Sequence, residues 1–236
     1  MTLAKPPAPL EAKKPRKKIP AGEIRRKLTT VNSDSIQLPT LMPVMALSGV
    51  TLFPNALLPL YIFEPRYREM LSTVLAGDRI FAVGMVRPDT GEESIFPVAG
   101  AGLVRACVGQ ADGTSQLILQ GLGRVEFTGF EQEEPYLIGR AKPLQTVVDN
   151  EEVCYSLRRE LQEICTGLVS RGIELPDTFV KAAGEMHDPA MLGDLFAQHL
   201  VRDPLAAQQI LSEPKLSLRL GTLVNTLRKD WQQVPS

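Results

Sequence analysis

A chain of 236 residues, 44% hydrophobic and 22% charged, has the length and apolar content for one generous globular domain or two small ones. No run approaches the roughly 18 uninterrupted apolar residues of a membrane span, and the N-terminus lacks the apolar core of a signal peptide, so no membrane contact and a cytoplasmic location are expected. The formal net charge of −1 hides an imbalance: residues 1–35 carry nine basic against three acidic residues, a net of +6, which leaves −7 for the remainder.

That first segment is rich in proline (Pro6, Pro7, Pro9, Pro15, Pro20) and poor in periodic apolar residues. Such a composition cannot repay its ordering entropy, so 1–35 reads as a disordered basic tail. Its Lys13 to Lys18 run suits nucleic acid or an acidic protein face, but no aromatic residue is interleaved to stack on bases, and nucleic acid is not the expected partner. From Leu38 to Pro54 apolar residues alternate with breakers, and Val44 to Leu47 has the composition of a first strand. Leu57 to Phe63 is a second strand, and Pro59 within it predicts a sheet edge or a bulge, because proline has no N–H to give a ladder. Glu64 and Pro65 then open a helix, whose Tyr67, Met70, Leu71, Val74 and Leu75 form one apolar stripe. Gly77 is expected to end it in the left-handed conformation.

A strand over Ile80 to Val86 and a polar loop, Arg87 to Ser94, come next. Gly102 to Gly109 and Ser115 to Gln120 flank Asp112-Gly113, a strong hairpin signal. Gly121 and Gly123 read as a turn, and Arg124 to Phe130 pairs with Tyr136 to Pro143, with Val125 and Phe127 on one face and Arg124 and Glu126 on the other. Short strands broken by glycines predict a small barrel or sandwich. Near residue 148 the period becomes helical: Val153, Leu157, Leu161, Ile164, Cys165 and Leu168 form a stripe closed by Gly172. Leu175 to Met186 is a helix, Asp188-Pro189 and Asp203-Pro204 each supply an aspartate cap with proline at the first position, and Pro214 begins a last helix. The fold class is α+β, with a β-rich part over 36–147 and a helical part over 148–232.

Catalytic groups are not expected. The chain has no phosphate loop, no dinucleotide fingerprint and no clustered metal ligands, so neither cofactor nor metal is predicted. Cys107, Cys154 and Cys165 lack ligand spacing and read as reduced, mostly buried thiols. His187 and His199 sit at helix ends, where a cation suits the dipole. The remaining candidates are the apolar residues Phe53, Leu57, Leu58, Tyr61, Phe96 and Phe130, able to grip extended polypeptide, with Glu64 and Arg66 as polar anchors.

Several motifs together resemble a known family. The run LPTLMPVMALSGVTLFPNALLPLYIFEPRYREMLSTVLAGDRIFAVG is similar to the opening of the Lon N-terminal, substrate-binding domain family, and YIFEPRYREM looks like its stand-alone members. The likeness continues through the Asp112-Gly113 hairpin, the Gly-x-Gly-Arg-Val run at Gly121, Gly123, Arg124 and Val125, and LGDLFAQHL, so it covers about residues 38 to 230. It implies a pseudobarrel with one embedded helix, then a helical bundle, and a role in recognising unfolded or degron-bearing polypeptides. Lon proteases join this domain to ATPase and Ser-Lys protease modules; neither motif set is found here, so a non-catalytic adaptor or regulator in protein quality control is expected. The alternative is a small-molecule sensor or enzyme using the barrel mouth, with Glu64 and Arg66 as its polar groups.

Overall fold

In a computed structural model of the chain, residues 37–88 and 94–232 are described; the basic tail and the centre of the Arg87–Ser94 loop lie outside them. The elements run β1 (Leu41–Leu47), β2 (Leu57–Ile62), α1 (Pro65–Ala76), β3 (Ile80–Met85), β4 (Val98–Gly109), β5 (Ser115–Gln132) and β6 (Leu137–Pro143). They continue as α2 (Glu151–Ser170), α3 (Asp177–Glu185), α4 (Pro189–Leu200), α5 (Pro204–Ser212) and α6 (Leu216–Gln232). The architecture is α+β.

Strand pairing follows a circuit. β1 lies parallel to β3, and the antiparallel pairs β3–β4, β4–β5, β5–β6 and β6–β1 return to the start, giving a pseudobarrel with β2 outside it against β5. Parallel strands need a crossover, and β2 with α1 provides it. β5 serves both regions: Ser115–Gln120 pairs with β2, whereas Val125–Gln132 pairs with β6. The expected turn at Gly121 and Gly123 is thus corrected, because β5 runs straight through it. The irregularity there is a bulge: Ala101 pairs with Gly123 and Gly102 with Gly121, so Leu122 is the extra residue.

Two apolar clusters hold the β region. Met42, Val44, Ala82, Ala99, Val125 and Phe127 belong to one that draws on all five circuit strands and on no helix, so the inside of the pseudobarrel is filled by side chains. The other packs α1 onto the opposite sheet face through Tyr67, Met70, Leu71 and Val74. The Tyr67 hydroxyl donates to Ala46 O at 2.9 Å and accepts from Ala46 N at 3.2 Å, which fixes the helix on β1. Gly77 does not take the expected left-handed conformation; its φ is −108°, and the positive φ of 61° falls on Arg79. Arg79 is held there because its Nε donates to Val104 O at 3.1 Å and its carbonyl accepts from Val104 N at 2.8 Å.

The helical cluster includes Leu161, Phe196, Leu211 and Leu223, and it takes in Phe53 and Val98 from the β region. Two helices start on the aspartate caps as read, Asp188 accepting from Ala190 N and Met191 N and Asp203 from Leu205 N, and α2 starts on a cap that sequence reasoning did not name, Asn150 accepting from Val153 N. His199 departs from the dipole argument. Its ring meets Phe179 edge-on at 5.6 Å, and burial pushes its pKa below the ordinary 6.5. The folded state therefore prefers the neutral imidazole, and stability is expected to fall as pH drops from above 6.5 through the folded-state pKa. Urea midpoints taken on either side of that pH check it; His199→Gln should flatten this part of the profile.

Candidate functional site

The phase of the β2–β5 ladder determines what β2 offers to a ligand. Gly121 N donates to Ala56 O at 2.8 Å, and antiparallel strands alternate between residues bonded to the neighbour and residues pointing away. Leu58, Leu60 and Ile62 therefore face β5, while Leu57, Pro59 and Tyr61 turn their backbone groups outward. Pro59 falls in the outward set, where its missing N–H costs no ladder bond, which is why a strand tolerates it there. Among the described residues no strand pairs with the outer side of β2. The free row offers carbonyls at Leu57, Pro59 and Tyr61 and N–H donors at Leu57 and Tyr61.

Side chains follow the same alternation. Leu57 is 60% exposed, Tyr61 52% and Phe63, just past the strand, 58%; the Tyr61 and Phe63 rings stack with centroids 5.8 Å apart. Beside them runs a shallow groove of about 400 Å³ lined by Pro59, Leu60, Tyr61, Cys107, Val108 and Ile118. Val108 is 67% exposed. Leu57, Tyr61 and Phe63, exposed along one edge, form an apolar patch of the kind that marks an interaction surface, and Val108 lines the groove from β4, across β5.

The structure brings only some of the predicted residues to this edge. Leu57 and Tyr61 stand on it, and Leu58, half-buried, packs beneath it against the α1 cluster. Glu64 and Arg66 follow at its end and engage each other at 2.8 Å, while the Arg66 guanidinium lies 4.6 Å from the Tyr67 ring centroid. The two anchors thus neutralise one another, in a half-exposed pair worth at most about 1 kcal/mol. Phe53 is a correction: it is fully buried in the helical cluster, so it is withdrawn from any surface, and that burial contributes about 1.5–3 kcal/mol. Phe96, half-buried beneath Arg87 at 5.5 Å, lies within the β3–β4 connection, and Phe130 packs on Phe127 at 5.7 Å near the far end of β5. Sequence reasoning missed Phe63 and Val108 as surface residues. The odd-numbered alternation from Leu57 extends to Phe63, but the register shift between Val104 and Ala106 hides the alternation that leads to Val108.

The groups with shifted pKa values lie outside the groove: hydrogen bonds from Ser217 hold Asp149 down, burial pushes the Cys154 and Cys165 thiols up, and burial pushes Arg219 down to about 10. Among the described residues no group of three or more His, Cys, Asp or Glu side chains could hold a metal ion, and no helix is long and apolar enough to cross a membrane. A second groove of about 440 Å³ between α2 and α3, lined by Gln162, Cys165, Val169, Val180 and Ala183, is mostly apolar. The backbone row and apolar rim of β2 can hold an extended chain by main-chain hydrogen bonds.

Residues 41–229 match the family model for the ATP-dependent protease La (LON) substrate-binding domain. The chain is similar to the Lon protease of Desulfosudis oleivorans, with 23% identity over 201 residues that cover 83% of this chain and 25% of that protein. It is likewise similar to the Lon protease of Desulfovibrio desulfuricans, with 27% identity over 195 residues, 80% of this chain and 22% of that protein. It spans about a quarter of the length of these curated relatives. Among solved structures, the N-terminal domain of Mycobacterium avium complex Lon protease superposes with a TM-score of 0.65 at 14% identity, covering 79% of this chain and 97% of that one. A Lon N-terminal domain protein from Xanthomonas campestris gives 0.58 at 17% identity, covering 79% and 98%. At these identities the superpositions speak for the fold.

Proposed function

The chain belongs to the LON substrate-binding domain family, and from that premise we propose that it is a non-catalytic polypeptide-binding module that takes an extended segment at the outer edge of β2. The observation that carries this reading is the free row of Leu57, Pro59 and Tyr61 backbone groups beside exposed Leu57, Tyr61 and Phe63. A strand added there would gain main-chain hydrogen bonds, and its alternate side chains would cover the apolar rim. Unfolded or degron-bearing polypeptides meet that requirement, because a folded protein keeps its backbone groups in its own ladders. In a cell the module acts as an adaptor or regulator in protein quality control. A filled pseudobarrel and the mutual Glu64–Arg66 pair argue against the reading as a small-molecule sensor.

Titration with reduced, carboxymethylated α-lactalbumin tests the proposal. Binding at or below tens of micromolar is expected, and Tyr61→Lys together with Leu57→Lys should weaken it about tenfold or more, as for residues at the centre of an interface. Both sites are exposed, so the stability change should stay within about 0.5 kcal/mol. Absence of binding by the unaltered protein, or full binding by the double variant, would count against this edge.

A further inference from the structure

The edge strand is tied to a helix far away in the chain. Just before β2, Leu52 and Phe53 are fully buried, and the Phe53 N–H donates to Gln198 Oε1 on α4 at 3.0 Å, across 145 residues. From that bond a continuous series leads to the strand. Phe53 O accepts from Ala56 N at 3.2 Å, Ala56 O accepts from Gly121 N at 2.8 Å, and Gly121 O accepts from Asn55 N at 2.9 Å. Asn55 completes the corner with a positive φ of 63°. The same two residues anchor both neighbouring cores, since Leu52 packs in the α1 cluster and Phe53 in the helical one.

We propose that Gln198 is a positioning residue for the polypeptide-binding edge: its side-chain carbonyl, by accepting from Phe53 N–H, sets where β2 begins and holds the strand in register on β5. The polypeptide role rests on the function proposed above; the effect on β2 does not. A buried backbone donor without an acceptor is strongly disfavoured. Loss of the Gln198 carbonyl would therefore let residues 53–56 shift, and β2 follows within one residue of Ala56. The helical part thereby acts on the edge through discrete bonds rather than through general packing.

Hydrogen exchange on the full chain reads the effect without any ligand. Gln198→Met keeps the length of the side chain and removes the acceptor, whereas Gln198→Glu retains an oxygen to accept from Phe53 N–H. In the Met variant the Leu58, Leu60 and Ile62 amides should exchange about tenfold faster, the equivalent of one net hydrogen bond, while Val44 in β1 and Val83 in β3 keep their protection. In the Glu variant all of these should exchange as in the unaltered protein. Unchanged β2 exchange in the Met variant, or equal loss in both variants, would overturn the proposal. Carboxymethylated α-lactalbumin should bind the Met variant about threefold to tenfold more weakly than the Glu variant, the equivalent of one net main-chain hydrogen bond lost at a displaced edge. If the unaltered protein binds no unfolded polypeptide, the proposed function falls, while the exchange comparison still decides the role of Gln198.

Discussion

Arg124→Ala is expected to lower folding stability by about 3–5 kcal/mol, read as a large drop in the urea midpoint at unchanged slope. Arg124 and Asp194 are both buried, and they form a bidentate pair between β5 and α4 in which Arg124 Nη1 donates to Asp194 Oδ2 at 3.1 Å and Nη2 to Oδ1. Arg124 Nε also donates to Leu211 O at 3.0 Å, and the guanidinium lies 5.8 Å from the Phe53 ring centroid. Truncation at 124 leaves a buried carboxylate without its partner and a carbonyl of α5 without a donor. The desolvation of that carboxylate, rather than the attraction lost, sets the magnitude.

The double variant Arg124→Met with Asp194→Leu should recover most of the loss, because it removes both charges and refills the space with apolar volume. Asp194→Ala alone should be at least as harmful as Arg124→Ala. It strips the carboxylate that stabilises charge on Arg124 and also on Arg219, whose pKa burial has already pushed down to about 10. An unchanged midpoint in either single variant would show that the pair does not hold the β region to the helices.

The second large effect comes from adding one methyl group. A Cβ at Gly121 would stand 2.0 Å from Phe53 O, and one at Gly100 would stand 2.0 Å from Leu52 O. Both obstacles are backbone, so no rotamer change relieves them. The segment must lift, and Leu52 and Phe53 leave two cores at once. Gly121→Ala is expected to cost about 3 kcal/mol or more, from overpacking plus lost burial. Gly123→Ala is the control: it lies two residues along the same strand, has nothing within 4 Å of its added Cβ, and should change stability by less than about 0.5 kcal/mol. Thermal unfolding of the two variants side by side decides the matter; similar melting points would refute the close-approach account.

These cases mark how far the sequence could be read. The α1 stripe, the Asp188 and Asp203 caps, the Asp112-Gly113 turn and the edge position of Pro59 were all legible, since each depends on groups within a few residues. The β2 edge as a site was half legible. Leu57 and Tyr61 could be named from strand composition, but Phe53, equally apolar and four residues earlier, lies inside the helical cluster. Composition cannot separate them, because the difference is made by α4 and β5, which are distant in the chain.

By itself the sequence determined the element types, most of their ends, the α+β order and the likeness to one family, because hydrophobic period, proline, glycine and capping chemistry act locally. Tertiary structure alone decided that Gly121 and Gly123 belong to a bulged strand rather than a turn, and that Arg124 points into a buried pair 70 residues away. Gly121 is glycine because another backbone segment passes over it, and Arg124 is tolerated inside because Asp194 and Leu211 O meet it there. Burial and close approach are properties of pairs of segments, and one-dimensional periodicity carries no record of which segments meet.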